Sequence, residues 1–193
     1  MRVVIVYESL FGNTRQVAEA IAEGVRAVAP EAQVSCVRAT EANRDVAMGA
    51  DLLAVGGPTH LCGLSSGVSR RIGLKAEQVA AAREAGHPVE PGSAGPGVRD
   101  WFMALPKAAA GSLGAAFDTR TDTLVADCAA DGIARRLRGH GYELVAEPEG
   151  FVIDHAQGPL RDGERDRARA WGARLLRQPV GLSGDRPLRT SLT

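Results

Sequence analysis

Val3 to Tyr7 is an unbroken run of β-branched and aromatic residues with nothing polar on either face. Such a strand has to be covered on both sides, so the run points to a parallel sheet with helices above and below rather than an antiparallel sheet with one wet face. The pattern changes period directly after it. Val17, Ile21, Val25 and Val28 recur at spacings of four and three, with Glu19, Glu23 and Arg26 off that stripe, and Pro30 closes the helix.

The same alternation continues along the chain. Val34 to Val37 and Asp51 to Pro58 read as strands two and three, with a helix from Glu41 to Ala50 between them. Residues 66–85 and 98–105 read as helices separated by a stretch, 87–97, whose prolines and glycines deny it both helix and ladder, so it is expected to be the most mobile internal segment. Ser112 to Phe117 reads as strand four, ending at Asp118-Thr119-Arg120, and Leu124 to Arg138 as a helix stopped by Gly139-His140-Gly141. Thr121 or Asp122 is placed to cap that helix. A fifth strand region spans Glu143–Val145 and Gly150–Asp154, interrupted by Pro148, and a last helix runs from about Asp162 to Leu176 with Ala168, Trp171 and Leu175 on one face. Strands and helices at this spacing form right-handed βαβ units, hence an α/β, doubly wound, open five-stranded parallel sheet. Residues 1–176 are read as one domain and 177–193, which have no periodicity, as an irregular tail that is disordered or laid over a partner surface.

Composition narrows the function. The 193 residues hold 23 basic and 23 acidic side chains, so there is no global field of the kind that draws a protein to nucleic acid or anionic membrane. Charge is uneven, with eight arginines against four acids from residue 161 onward. Three cysteines without CxxC spacing and four scattered histidines imply neither a disulfide framework nor a zinc site. No stretch approaches the roughly 20 apolar residues of a membrane span, and the opening apolar run is too short for a signal peptide. The expectation is a soluble, cytoplasmic protein.

In doubly wound sheets ligands sit beyond the carboxyl ends of the strands where the winding reverses. The loops after strands one, three and four therefore carry the chemistry. The first, Ser9-Leu10-Phe11-Gly12-Asn13-Thr14, joins a strand to a helix N-terminus and so turns backbone amides and the positive end of the helix toward an anion. Ser9 and Thr14 add hydroxyls, Gly12 permits positive φ or close backbone approach, and Asn13 tolerates the same geometry. The loop has no Lys and no GxGxxG spacing, so it is neither a Walker A loop nor a dinucleotide fingerprint. A dianionic monoester held mainly by neutral donors is the better reading.

The segment Ile5-Val6-Tyr7-Glu8-Ser9-Leu10-Phe11-Gly12-Asn13-Thr14-Arg15-Gln16-Val17-Ala18-Glu19-Ala20-Ile21 resembles the N-terminal signature of the flavodoxin family at every fixed position, and the order of elements is similar to that family's through about residue 176. The resemblance implies a flavodoxin-like sheet of order 2-1-3-4-5 with bound FMN. It also implies two further loops around the isoalloxazine ring: Pro58-Thr59-His60-Leu61-Cys62-Gly63 and Asp118-Thr119-Arg120. In the first, Gly63 would allow the peptide flip that offers a carbonyl to the reduced flavin N5, and His60 would sit at the flavin edge; Cys62 would be a thiol beside the flavin, or simply a loop thiol. Arg120 would approach the phosphate or the flavin pyrimidine, or be surface charge. Typical flavodoxins stack an aromatic from each loop on the ring. These loops contain no Trp or Tyr, which leaves stacking to His60, Leu61, Leu10 or Phe11.

The implied function is electron transfer between a reductase and an acceptor, with redox partner proteins or a small-molecule acceptor as partners, and no nucleic acid or membrane. An NAD(P)H-dependent quinone or flavin reductase of the same superfamily is the alternative, and a flavin-free domain on the same fold a third. A phosphoacceptor receiver is disfavoured because strand three ends at Val55-Gly56-Gly57, without the aspartate such a site requires.

Overall fold

The structure is a computed structural model that describes residues 1–59, 90, 95–122, 128–155 and 157–177. The expected helix over 66–85, most of the 87–97 stretch, the start of the 124–138 helix and all but the first residue of the tail lie outside the described residues.

Strand β1 (Arg2–Tyr7) leads into helix α1 (Asn13–Val28), then β2 (Gln33–Arg38), α2 (Arg44–Met48), β3 (Leu52–Pro58), α3 (Val98–Ala104), β4 (Leu113–Thr121), α4 (Ala129–His140), β5 (Glu143–Leu144), β6 (Glu149–Ile153) and α5 (Glu164–Arg174). The sheet runs β2-β1-β3-β4-β5 with every ladder parallel, and β6 also pairs with β4. This is the expected doubly wound order. The fifth position is shared: β5 pairs with Leu113 and Gly114, and β6 pairs with Phe117 to Thr121 further along the same strand. The register slips by two residues between them, where Ala146 to Pro148 leave the ladder because a proline has no amide to give it.

Alternation along the buried strands divides the core into two faces. Val3, Ile5, Leu52, Ala54, Ala115 and Phe117 pack under α1 and α5, where Trp171 meets Phe117 and Phe151 edge-on at 6.2 Å. Val4, Val6, Leu53, Val55 and Ala116 face Val98, Trp101, Phe102, Ile133 and Leu137 of α3 and α4. The predicted stripes are the buried ones: Val17, Ile21 and Val25 in α1, and Ala168, Trp171 and Leu175 at α5. Helices α1 and α5 cross so closely that a Cβ at Gly24 would lie 1.9 Å from the Arg169 carbonyl and one at Gly172 would lie 2.2 Å from that of Ile21.

Two boundaries differ from expectation. Helix α2 has only five residues, because Asn43 caps it by accepting the Val46 N–H at 2.9 Å and Gly49 ends it. Strand β4 runs four residues beyond Phe117, so Asp118, Thr119 and Arg120 are strand rather than the turn after one. Their ladder bonds come from elements distant in sequence: Pro58 pairs with Thr119 on one side and Gly150 to Val152 with Asp118 to Arg120 on the other.

The outer edge of β6 is covered by side chains and backbone of the segment leading into α5. Glu164 accepts the Val152 N–H at 2.7 Å, Arg161 N–H donates to Val152 O at 3.0 Å, Arg167 donates to Gly150 O, and Leu160 bridges Ile153. The arginines clustered near the C-terminus are largely spent on such pairs, with Arg165 and Arg169 on Glu23, Arg161 on Asp122 and Asp154, and Arg167 on Glu149 and Glu164. No helix among the described residues is long and apolar enough to cross a membrane.

Candidate functional site

Helix α1 begins at the carboxyl end of the sheet, and Gly12 precedes it with φ of 89°, a left-handed conformation that an L side chain adopts only at a cost. Gly12 O accepts the first intrahelical bond, from Gln16 N–H at 3.0 Å, and no side chain caps the helix. The amides of Asn13, Thr14 and Arg15 therefore precede the ladder, and among the described residues nothing accepts from them. Ser9 Oγ accepts the Gly12 N–H at 3.1 Å, which leaves its own hydroxyl hydrogen to donate. Thr14 and Thr119 hydroxyls pair at 2.8 Å, buried. That bond uses one of their two hydrogens and leaves the other. Asn13 is held from outside by donating to Gln157 O at 3.0 Å.

These groups surround an open cleft lined by Ser9, Leu10, Phe11, Asn13, Thr14, Pro58, Thr59 and Thr119, with Ile153 at its margin. Every donor named is neutral. The one cation of the loop region, Arg15, is turned to Glu90 and Glu19 instead. A backbone-rich, neutral donor set at a helix N-terminus suits a phosphate monoester, whose charge is met by dipoles and hydrogen bonds.

Asp118 and Arg120 face the other way. Adjacent strand residues alternate between faces, so with Thr119 directed at α1 its two neighbours are directed at α4. The Asp118 carboxylate is fully buried; Oδ2 accepts from Thr59 Oγ1 at 3.0 Å and from Ala130 N–H at 2.9 Å. Thr59 Oγ1 accepts in turn from Ala129 N–H at 2.8 Å. These two side chains supply the cap for α4 that the sequence assigned to Thr121 or Asp122. Asp118 Oδ1 accepts no hydrogen bond, and Arg120 Nε stands 3.8 Å from it. Burial pushes the Asp118 carboxyl above the usual aspartate value, against the lowering effect of the Ala130 amide, Arg120 and Thr59. Arg120 lies across Gly150, where a Cβ would come within 2.2 Å of its guanidinium. It is on the opposite face from the α1 amides.

No family model matches the chain, and no curated protein matches it in sequence. Solved structures do match in shape. A flavodoxin from the domain Archaea is 20% identical over 91% of this chain and 96% of that one, with a TM-score of 0.59. Oxidised flavodoxin 1 from Bacillus cereus is 15% identical over 92% and 99%, with a TM-score of 0.63.

The fold is flavodoxin-like.

A WrbA-like flavodoxin from Agrobacterium tumefaciens also shares it, at 20% identity, 90% and 94% coverage and a TM-score of 0.52. Within the flavodoxin-like fold, eight of the residues singled out from sequence line one cleft, and Gly12 supplies the turn between them. His60, Leu61, Cys62 and Gly63 lie outside the described residues. Three contributors were missed. Ile153 reaches the cleft because it ends β6, and Gln157 and Gly158 lie against Asn13, where a Cβ on Gly158 would come within 2.6 Å of the amide. No local signal pointed to them: the fifth position stands at the far edge of the sheet, with β3 and β4 between it and β1, and it is the segment after β6 that reaches back to Asn13.

Proposed function

We propose that the chain binds FMN at the carboxyl ends of β1, β3 and β4 and serves as an electron-transfer protein between a reductase and an acceptor. The observation that carries the reading is the uncapped start of α1. The first turn of α1, whose amides precede the helical ladder, and the hydroxyls of Ser9, Thr14 and Thr119 border a cleft that has no cation among its described lining residues. On this reading Ser9 to Thr14 hold the phosphate, with Thr119 behind them, and Pro58, Thr59, Leu10 and Phe11 border the ring; His60 to Gly63 belong to the ring loop after β3, and Asp118 and Arg120, at the end of β4, act from behind the cleft. Bound flavin would supply the redox chemistry, accepting and releasing one or two electrons. The protein's share is to bind it, orient it and exclude water.

A two-electron NAD(P)H-dependent quinone or flavin reductase is the second reading. The even balance of 23 basic and 23 acidic residues favours it, because a dedicated carrier benefits from a strongly charged docking face.

Titration of the apoprotein tests the site. FMN should bind at least about tenfold more tightly than riboflavin, the scale of one hydrogen bond to a charged group, and Ser9→Ala with Thr14→Ala should remove about 1–3 kcal/mol of FMN binding. Equal affinity for the two flavins would overturn the phosphate assignment. Anaerobic reduction followed by absorbance separates the activities: resolved one-electron steps support the carrier, and direct two-electron bleaching coupled to NADPH oxidation with a quinone supports the reductase.

A further inference from the structure

Glu90 is distant from the phosphate loop in sequence and touches it at several points. Its backbone N–H donates to Leu10 O at 2.9 Å. Its Oε1 accepts from Arg15 Nε at 2.5 Å, in the first turn of α1, and its Oε2 accepts from an Arg38 guanidinium nitrogen at 2.8 Å, at the end of β2. A Cβ at Gly12 would lie 3.4 Å from Oε1, so the carboxylate rests against the loop at its left-handed residue. Glu90 is 12% exposed and Arg38 18%, so this is a half-enclosed bridge rather than a solvated surface pair.

We propose that Glu90 is a positioning residue for phosphate recognition: it clasps Leu10 to Gly12 in the shape that aims the α1 amides and draws Arg15 away from the cleft. Without the bridge, a loop of six residues with a left-handed glycine would have to be ordered by the incoming anion, at the expense of affinity. With it, that ordering is already in place. The carboxylate stays charged in its half-buried setting: burial alone would raise its pKa, but the bonds from Arg15 and Arg38 outweigh this and lower it.

The inference rests on reading Ser9 to Thr14 as a phosphate loop, and the test keeps the two apart. Wild-type apoprotein is titrated with FMN and with riboflavin, which differ only in the phosphate, at low and high ionic strength. If wild type does not prefer FMN, the loop reading fails and this inference with it. If it does, Glu90→Ala should weaken FMN by about tenfold while changing riboflavin by less than about twofold, at both ionic strengths. A purely electrostatic role has the opposite sign, since removing a negative charge would tighten FMN, most at low salt. Tighter FMN binding, unchanged binding, or equal weakening of both flavins would each overturn the proposal. Arg38→Gln removes one anchor of the carboxylate and should show a smaller loss in the same direction. Because losing a positive charge would also weaken FMN at low salt, it decides the matter, if Glu90→Ala does not fold, at high ionic strength: a loss that persists there supports the proposal and one that vanishes overturns it.

Discussion

Asp118 and Thr59 together do what Thr121 or Asp122 was expected to do alone, meeting the first amides of α4. Asp118 Oδ2 holds the Thr59 hydroxyl and the Ala130 amide, joining the end of β3 to the start of α4. Replacing it with alanine leaves both donors buried without a partner, so Asp118→Ala should cost about 1–3 kcal/mol in urea denaturation. Asparagine keeps an acceptor and cannot ionise. Because folding raises the Asp118 pKa, its favourable contribution is fully present below the ordinary aspartate value and is lost as pH rises through the folded value. Wild type should therefore lose stability relative to Asp118→Asn between mildly acidic and neutral pH, and a flat difference would show that the carboxyl is not perturbed. None of this was legible in the sequence. Asp118 followed a strand-like run and looked like a turn residue, because the partners that extend β4 past Phe117 come from residues 57–58 and 150–153.

Between elements, α1 and α5 approach each other closely where they cross at Gly24 and Gly172. In an exposed helix interior, Gly→Ala is stabilising by roughly 0.5–1 kcal/mol. Here the sign should reverse: the new methyl meets a backbone carbonyl of the facing helix, which cannot rotate aside, and each of Gly24→Ala and Gly172→Ala should destabilise by about 1–3 kcal/mol or more. Thermal melts of the two variants check it, and a gain in stability from either would mean the helices can separate freely. The elements themselves were largely readable, since Val17, Ile21 and Val25, or Ala168, Trp171 and Leu175, bury where their spacing says they must. What spacing does not carry is which helix meets which. The two glycines that set that contact look like helix defects until the facing carbonyls are seen. The loop that opens α1 was legible for the opposite reason, because its polar groups and the helix start they border lie within one local segment.

At the scale of the whole molecule, several carboxylates are held below their usual range by arginines that come from other elements. Burial acts against the charge of Glu90 and Glu164, but Arg15 and Arg38 on the first, and Arg167 with the Val152 amide on the second, lower both values. A lowered folded pKa contributes stability that is present above the unfolded value and lost as pH falls through the folded one. The melting temperature should accordingly drop on acidification below about pH 4.5, the ordinary glutamate range, and Glu164→Gln should flatten that decline. An unchanged acid limb would show that these pairs are screened as ordinary surface contacts are. The placement of Glu164 has another consequence. A sheet that does not close on itself offers its last strand as a template for strands of other molecules. At β6 the amide of Val152 and the carbonyls of Val152 and Gly150 are already engaged by Glu164, Arg161 and Arg167, and at the far side Arg26 reaches the Val34 carbonyl of β2. A foreign strand would have to displace charged side chains before laddering onto β6 between Gly150 and Val152, and at β2 it would meet one carbonyl already taken, so the sheet is guarded against fibril-like growth most fully at β6.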